Sequence, residues 1–293
     1  MLIKTDHPVF HQQKKITHKI AQFWDRLSPG WEKIWGPHIH HGYYEENEHL
    51  TPLQAQEKLL HKLTELIEIP EKAEILDVGC GMGGSSIYLA QQYAAQVRGI
   101  TLSPRQVQIA TEVAQKAGVT GLSFQVEDAL YLQSFQDCSI DVVWSLESCE
   151  QFFDKKLFLN NAYRVLKPGG KLLLVTWCSS QDEYQHQAAK KYQKLCHEFD
   201  LPYLPTINRY RELLEEEKFT IKSVIDWSDQ VKKSWEVGVN LVQSISLLRI
   251  LQMGGWQAWR FARQIKLMRD AFQENRIQYG VFIAEKGVAA KIN

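Results

Sequence analysis

The chain is predicted to be an α/β protein with a doubly wound, parallel sheet. Three observations predict it. From Ala73 onward short apolar runs alternate with helical stretches, a glycine-rich turn joins the first run to the first helix, and the helices between the runs are long enough for crossovers. The runs AEILDV, AQVRGI, LSFQVE, IDVVWSL, KLLLVTW, FTIKSVI and IQYGVFIAE are read as strands. The first five are short and apolar, the pattern of strands covered on both faces. Helices fit Gly84–Tyr93, Pro104–Lys116 and residues 155–166 between them, and a parallel order makes the crossovers right-handed. KPGG at 167–170 is read as the turn before the fifth strand.

Before Ala73 the pattern differs. Residues 1–50 are aromatic-rich and irregular, with a short helix expected over 18–27 and stopped by Ser28-Pro29-Gly30. Thr51-Pro52-Leu53-Gln54 is a capping box with proline at the first helical position, and Leu59, Leu60, Leu63, Leu66 and Ile67 follow at helical spacing up to Pro70. Two helical insertions, 178–217 and 229–275, follow the fifth and sixth strands, the second split by Gly254-Gly255. Open α/β sheets bind ligands at that strand edge, so the insertions are expected to form a lid with an apolar inner surface. The expected organisation is an N-terminal helical and aromatic cap (1–72), a core (73–177 and 218–286) and the two lid insertions within it.

Composition narrows the function. Lys plus Arg and Asp plus Glu balance at 34 each, which leaves no global basic field for nucleic acid. The five cysteines are scattered without a C-x-x-C pair, against both a disulfide framework and a zinc site, so no metal is expected. No apolar run approaches the roughly 20 residues that span a bilayer, and the N-terminus has no signal core. A cytoplasmic protein is expected.

The turn GCGMGG at 79–84 contains G-x-G-x-x-G, which by itself also marks dinucleotide sites. Three details discriminate. Asp77 stands two residues before the first glycine, where it would repel a pyrophosphate but favour the ammonium and sulfonium of S-adenosylmethionine. The second strand ends in Gly99-Ile100-Thr101-Leu102-Ser103-Pro104, without the carboxylate that a nicotinamide ribose asks for. Thr101 and Gln106 offer neutral polar groups instead, although Ser103-Pro104-Arg105-Gln106 is also a capping box and Gln106 fits either role. The third strand ends in Glu127-Asp128-Ala129, suited to an adenine amino group. No Walker lysine follows the glycines, which disfavours ATP.

ILDVGCGMGGSSIYLA, RGITLSP, VWSLES and RVLKPGGKLLLVTW resemble the class I S-adenosylmethionine-dependent methyltransferases motif by motif. WEKIWGPHIHHGYYE, GITLSPRQ, VVWSLESCE and LLVTWC extend the resemblance to the tocopherol methyltransferase family over nearly the whole chain. That family methylates the aromatic ring of a prenylated phenol, and close plant relatives methylate nitrogen in indole alkaloids. The resemblance implies a Rossmann-like seven-stranded sheet with the last strand antiparallel. It implies S-adenosyl-L-methionine as cofactor and S-adenosyl-L-homocysteine as product. By position, Gly79, Gly81 and Gly83, with Asp77 nearby, would line the methionine portion. Thr101, Leu102 and Gln106 would face the ribose, Asp128 and Ala129 the adenine. His40, His41, Gly42 and Tyr43 would close over the sulfonium, with Ser145 among the cofactor contacts. One departure matters: where the family has Glu-Ser-Gly-Glu-His-Met, this chain has Glu147-Ser148-Cys149-Glu150-Gln151-Phe152. Gln151 cannot act as a base near neutral pH, which points to a diverged relative.

Methyl transfer is an in-line displacement whose main demand is alignment of donor and acceptor. Glu150 is the candidate for proton removal or acceptor orientation, or else a cap of the following helix. His41 and His40 are candidates for assisting it, or else contact the cofactor or pack the loop. Phe23, Trp24, Trp31, Trp35, Tyr43 and Tyr44 are candidate walls for a bulky hydrophobic acceptor; carbon, nitrogen and oxygen acceptors all fit. Trp256 to Phe272 carries Arg260, Arg263, Lys266 and Arg269 and fits either a peripheral membrane contact or a solvated basic face. A nucleic-acid methyltransferase, an S-adenosylmethionine-binding protein without turnover, and an NAD-linked oxidoreductase are the rival readings.

Overall fold

The computed structural model describes residues 2–4, 13–244 and 264–288. Seven strands form one sheet: β2 (Glu74–Val78), β3 (Gln96–Thr101), β4 (Leu122–Val126), β5 (Ile140–Leu146), β6 (Leu166–Ser179), β8 (Phe219–Asp226) and β9 (Ile277–Lys286), in the order β4-β3-β2-β5-β6-β9-β8. All pairings are parallel except those of β9, which runs against both β6 and β8. The topology reverses direction beside β2, so the ends of β2, β3 and β5 share one edge.

Residue alternation explains the two-sided core. Ile75, Val97, Val142, Trp144, Leu173 and Val175 pack with Leu59, Leu60 and Leu63 of α2 (Pro52–Leu66) and Leu89 of α3 (Gly84–Tyr93). Their neighbours Leu76, Ile100, Val143, Leu172 and Leu174 pack on the other face with Phe158 of α5 (Lys155–Val165) and Tyr210 of α7 (Ile207–Glu216). Truncating one such leucine to alanine costs about 2–5 kcal/mol. The capping box at Thr51 forms as the sequence predicts, with both arms present.

Three local expectations are corrected. Helix α1 spans Gln13–Trp35 and continues through Pro29 instead of stopping there, although the proline cannot donate to the Asp25 carbonyl. β4 is the sheet edge and largely exposed, with Val126 half open to solvent. The KPGG segment is a bulge inside β6: Ile140 pairs with Leu166 but Val142 with Lys171, so residues 167–170 loop out. An unexpected second sheet pairs β1 (Leu2–Lys4) with β7 (Glu183–Gln185).

The first insertion holds β7 and α6 (His186–Glu198), followed by α7; the second holds α8 (Ser228–Val231), α9 (Lys233–Ser244) and a helical stretch over 264–273. Gly254-Gly255, Trp256, Arg260 and Arg263 lie outside the described residues. Within them, Ile265, Met268 and Phe272 are buried in the protein, so this part of the insertion turns its apolar side inward. No described helix is long and apolar enough to cross a membrane.

Candidate active site

One cavity opens at the shared edge of β2, β3 and β5, under α1 and both insertions. Its strand-end half begins at the glycine turn. The Gly79 and Cys80 amides donate to the Ile100 carbonyl at 2.9 and 3.0 Å, and the Gly83 amide to the Cys80 carbonyl at 2.9 Å. These bonds fix the shape of the turn between β2 and α3. Gly79 has φ +75°, and a Cβ there would lie 2.3 Å from the Ser148 Cβ. Gly81 has φ +54° and lines the cavity opposite Ile39. Gly83 does not line it: a Cβ there would lie 3.0 Å from the Cβ of Ala110, so its glycine serves the packing of α3 against α4 (Pro104–Lys116).

Asp77 lies at the floor of this half, buried, accepting 2.6 Å from the Ser86 hydroxyl. Burial pushes its carboxyl up to about 7, against the pull of Ser86. A cation placed beside it would restore the charge. Thr101, Leu102, Gln106, Asp128 and Ala129 line the same half. The Gln106 ambiguity resolves in the side chain. Its backbone amide is capped by the Ser103 hydroxyl at 3.0 Å, while its amide oxygen accepts 2.6 Å from Thr101 instead of returning to the cap. The Ser103 hydroxyl donates 2.5 Å to Asp25, which fastens α1 over this end of the cavity.

The opposite half is assembled from distant segments. His41 Nδ1 lies 2.7 Å from Glu147 Oε2, and the His41 amide donates 2.8 Å to Oε1. Tyr279 adds a third bond to Oε1 at 2.7 Å. Burial alone would raise the Glu147 carboxyl; the charge and hydrogen bonds of His41 outweigh it and hold it below the usual carboxylate range. His40 donates from Nδ1 to the His41 carbonyl at 2.8 Å, and its Nε2 meets His38 Nδ1 at 3.2 Å. Burial lowers both His38, to about 3, and His40, so both stay neutral. Gln56 of α2 clamps this segment by donating to the His38 and His40 carbonyls at 3.2 and 3.0 Å.

Glu150 also lines the cavity. It is not the cap of α5: Asp154 is, accepting 2.9 Å from Leu157. Burial, reinforced by nearby Glu147, pushes Glu150 up to about 8, although Thr176 donates to it at 3.0 Å. Near neutral pH it carries a proton and is a donor. Its turn is held by fully buried Lys155, which donates 2.8 Å to the Phe152 carbonyl and sits 4.0 Å from the Tyr203 ring centroid. Burial brings that lysine down to about 8.

Some sequence candidates lie elsewhere. Tyr43 is not part of the cavity lining; its ring packs edge-on to Trp227 at 5.0 Å because its amide ties it to Ala55 of α2. Tyr44 lies under Lys233. Ser145 is buried behind the lining, 3.0 Å from the Ser148 hydroxyl, which itself donates to the Val78 carbonyl. Phe23 and Trp24 do line the cavity, and Trp24 donates 3.2 Å to Gln151. The side chains of Trp31 and Trp35 lie outside the described part. Trp177, Phe199, Leu201, Trp235 and Ile265 complete the apolar walls. Sequence reading undervalued Glu147 and missed Tyr279 and Gln56, which carry no motif signal. Among the described residues no group of three His, Cys, Asp or Glu side chains is arranged to hold a metal ion.

Comparison with known proteins identifies the family. A family model described as a methyltransferase domain matches residues 69–232. The chain is 32% identical to tocopherol O-methyltransferase, chloroplastic, of Arabidopsis thaliana, over 91% of this chain and 81% of that protein. It is 33% identical to 2-methyl-6-phytyl-1,4-hydroquinone methyltransferase of Synechocystis, over 86% and 82%. It is 25% identical to norajmaline N-methyltransferase of Rauvolfia serpentina, over 91% and 97%. Among solved structures, the cyclopropane synthase MmaA2 of Mycobacterium tuberculosis superposes with a TM-score of 0.80 at 18% identity, over 92% of this chain and 98% of that one. The cyclase SpnF gives 0.82 at 23%, over 98% and 100%, so the fold alone does not decide the reaction. The family match and the sequence relatives do: the chain belongs to the S-adenosylmethionine-dependent class I methyltransferases and is related to the tocopherol O-methyltransferases over most of its length.

Proposed function

We propose that this enzyme methylates a bulky, largely apolar small molecule, of the prenylated-phenol or indole-alkaloid kind, held in the half of the cavity opposite the glycine turn. The observation that carries the reading is the contrast between the two halves. One has a buried carboxyl group and neutral polar groups, which suits a cationic nucleoside without phosphate. The other has apolar walls of Trp177, Phe199, Leu201, Trp235 and Ile265 around His41, Glu147 and Glu150.

In this reading Asp77 and Gly81 hold the methionine portion of S-adenosylmethionine, Thr101 and Gln106 its ribose, and Asp128 with Ala129 its adenine. The sulfonium supplies an activated methyl carbon. The chain's own work is to align that carbon with the acceptor and to exclude water. Glu150, protonated near pH 7, orients the acceptor as a hydrogen-bond donor. Gln151, tied to Trp24, supplies shape in place of the family histidine, which favours a diverged acceptor over tocopherol itself.

The test is incubation with labelled S-adenosylmethionine and a panel of prenylated phenols, indole alkaloids and sugar-decorated aromatics. Label is expected on a prenylated or polycyclic acceptor. Label only on small polar acceptors would overturn the assignment. Donor binding by calorimetry without label on any acceptor would instead favour a protein that binds the cofactor without turnover.

A further inference from the structure

We propose that His41, oriented by Glu147 with Tyr279 behind it, is the general base of this site, and that the acceptor must lose a proton: a phenolic or enolic hydroxyl, or a ring carbon activated by one, rather than a neutral amine. The inference rests on the acceptor half assigned above and narrows it to a chemical class.

The hydrogen-bond pattern dictates the protonation state. The Glu147 carboxylate can only accept, so the 2.7 Å contact puts a hydrogen on His41 Nδ1. Nε2 then keeps its lone pair. That atom is buried and has no hydrogen-bond partner, on a residue that lines the cavity. A buried acceptor left unpaired is costly, and native proteins retain few without a use. The ring is held in place by Trp235 at 5.0 Å, Tyr279 at 5.4 Å, Trp177 at 6.0 Å and Phe272 at 6.0 Å between centroids. Glu147 is held in turn by the His41 amide and the Tyr279 hydroxyl, on a backbone with φ +51°, an uncommon conformation for a non-glycine residue.

His40 is excluded from the role. Its Nδ1–H serves the His41 carbonyl and its Nε2 accepts from His38, so neither nitrogen is available. The titratable groups around His41 are His38 and His40 on its own segment, Glu147 and Glu150 after β5, and Tyr279 on β9. α9 and the 264–273 stretch contribute the uncharged Trp235 and Phe272.

In the step, the acceptor O–H proton passes to His41 Nε2 while the acceptor forms its bond to the methyl carbon. The C–S bond breaks and its electron pair returns to sulfur. A hydroxyl becomes a methyl ether, the sulfonium a thioether, and His41 an imidazolium paired with Glu147 until solvent takes the proton. For a ring carbon, the same base removes the phenolic or ring proton. A neutral amine needs no base during transfer.

The experiment combines nitrogen-labelled histidine NMR with pH–rate profiles. In the wild type, neutral His41 is expected as the Nδ1–H tautomer. Glu147→Gln is expected to lower its titration midpoint by about one unit or more and kcat on a phenolic acceptor by about a hundredfold, with donor Kd by calorimetry changed less than about twofold. Removing the carboxylate destabilises the imidazolium, so the ascending limb moves to lower pH. Tyr279→Phe leaves the carboxylate more basic, so the limb and the NMR midpoint move to higher pH. An Nε2–H tautomer in the wild type overturns the proposal, and it does so without any acceptor, independently of whether the substrate panel succeeds. Unchanged midpoints in Tyr279→Phe overturn it as well, which keeps the test decisive if Glu147→Gln does not fold.

Discussion

Asp77 at the end of β2, Thr101 at the end of β3 and Asp128 just beyond β4 reach the cavity from three neighbouring parallel strands. His41, Glu150, Trp177, Phe199 and Trp235 reach it from a loop, a short 3₁₀ turn, β6 and both insertions. The first half is a single edge of one sheet, locked by ladder hydrogen bonds and a glycine turn. The second is a junction of segments, each fixed by a few side-chain bonds such as Gln56 to His38 and His40, or Lys155 to Phe152. The difference suits the proposed division of the cavity: a locked edge for the donor and, for the acceptor, segments that can change without breaking the sheet.

The largest expected effect is at the rigid half. Gly79→Ala would place a Cβ 2.3 Å from that of Ser148, in a backbone conformation alanine resists. A loss of about 3 kcal/mol in stability is expected, together with loss of donor binding, by denaturant unfolding and calorimetry. A variant that binds the donor normally would break the claim that this turn is locked.

Asp77→Asn comes next. The free carboxyl, pushed up to about 7, binds a cation best when ionised, so wild-type donor affinity should rise with pH up to about 7 and then level. The variant should bind at least about tenfold more weakly at pH 8 and lose that pH dependence. Stability moves oppositely. A raised acid in the folded state favours folding at low pH and loses that advantage as pH rises from about 4 to 7. Asp77→Asn should therefore gain Tm relative to wild type more at pH 8 than at pH 5.

Glu150→Gln is the smallest. Below about 8 the wild-type group is a neutral donor, which glutamine imitates, so acceptor KM and kcat at pH 6.5 should change less than about threefold. Above pH 8 the wild type should lose its donor and the variant should not. A collapse of kcat at pH 6.5 would make Glu150 the base and transfer that role from His41.

The sheet edge was legible because its information is local. Asp77, the glycine turn, Thr101 and Asp128 sit at boundaries that period and capping mark within a few residues. The helices Gly84–Tyr93 and Pro104–Lys116 fall where spacing predicts them. Pro29 misled because a proline removes only its own bond to the carbonyl four residues back, and the helix continues on both sides of it. Gly83 and Tyr43 were assigned to the cavity by position within their motifs, yet packing against Ala110 and Trp227 takes them elsewhere. Between His40 and His41, identical in type and adjacent in sequence, only the partner of each ring nitrogen separates a saturated histidine from one with a free lone pair.

Taken alone, the amino-acid order determined the α/β architecture, the family and the strand edge proposed for the donor, because periodicity, capping and a charged residue beside a glycine turn act over short spans of chain. Which groups line the opposite half of the cavity was decided by folding. Glu147 lies 106 residues from His41 and 132 from Tyr279, and a proton's position among three such groups depends on distances of a few ångströms that only the packed sheet and its insertions create.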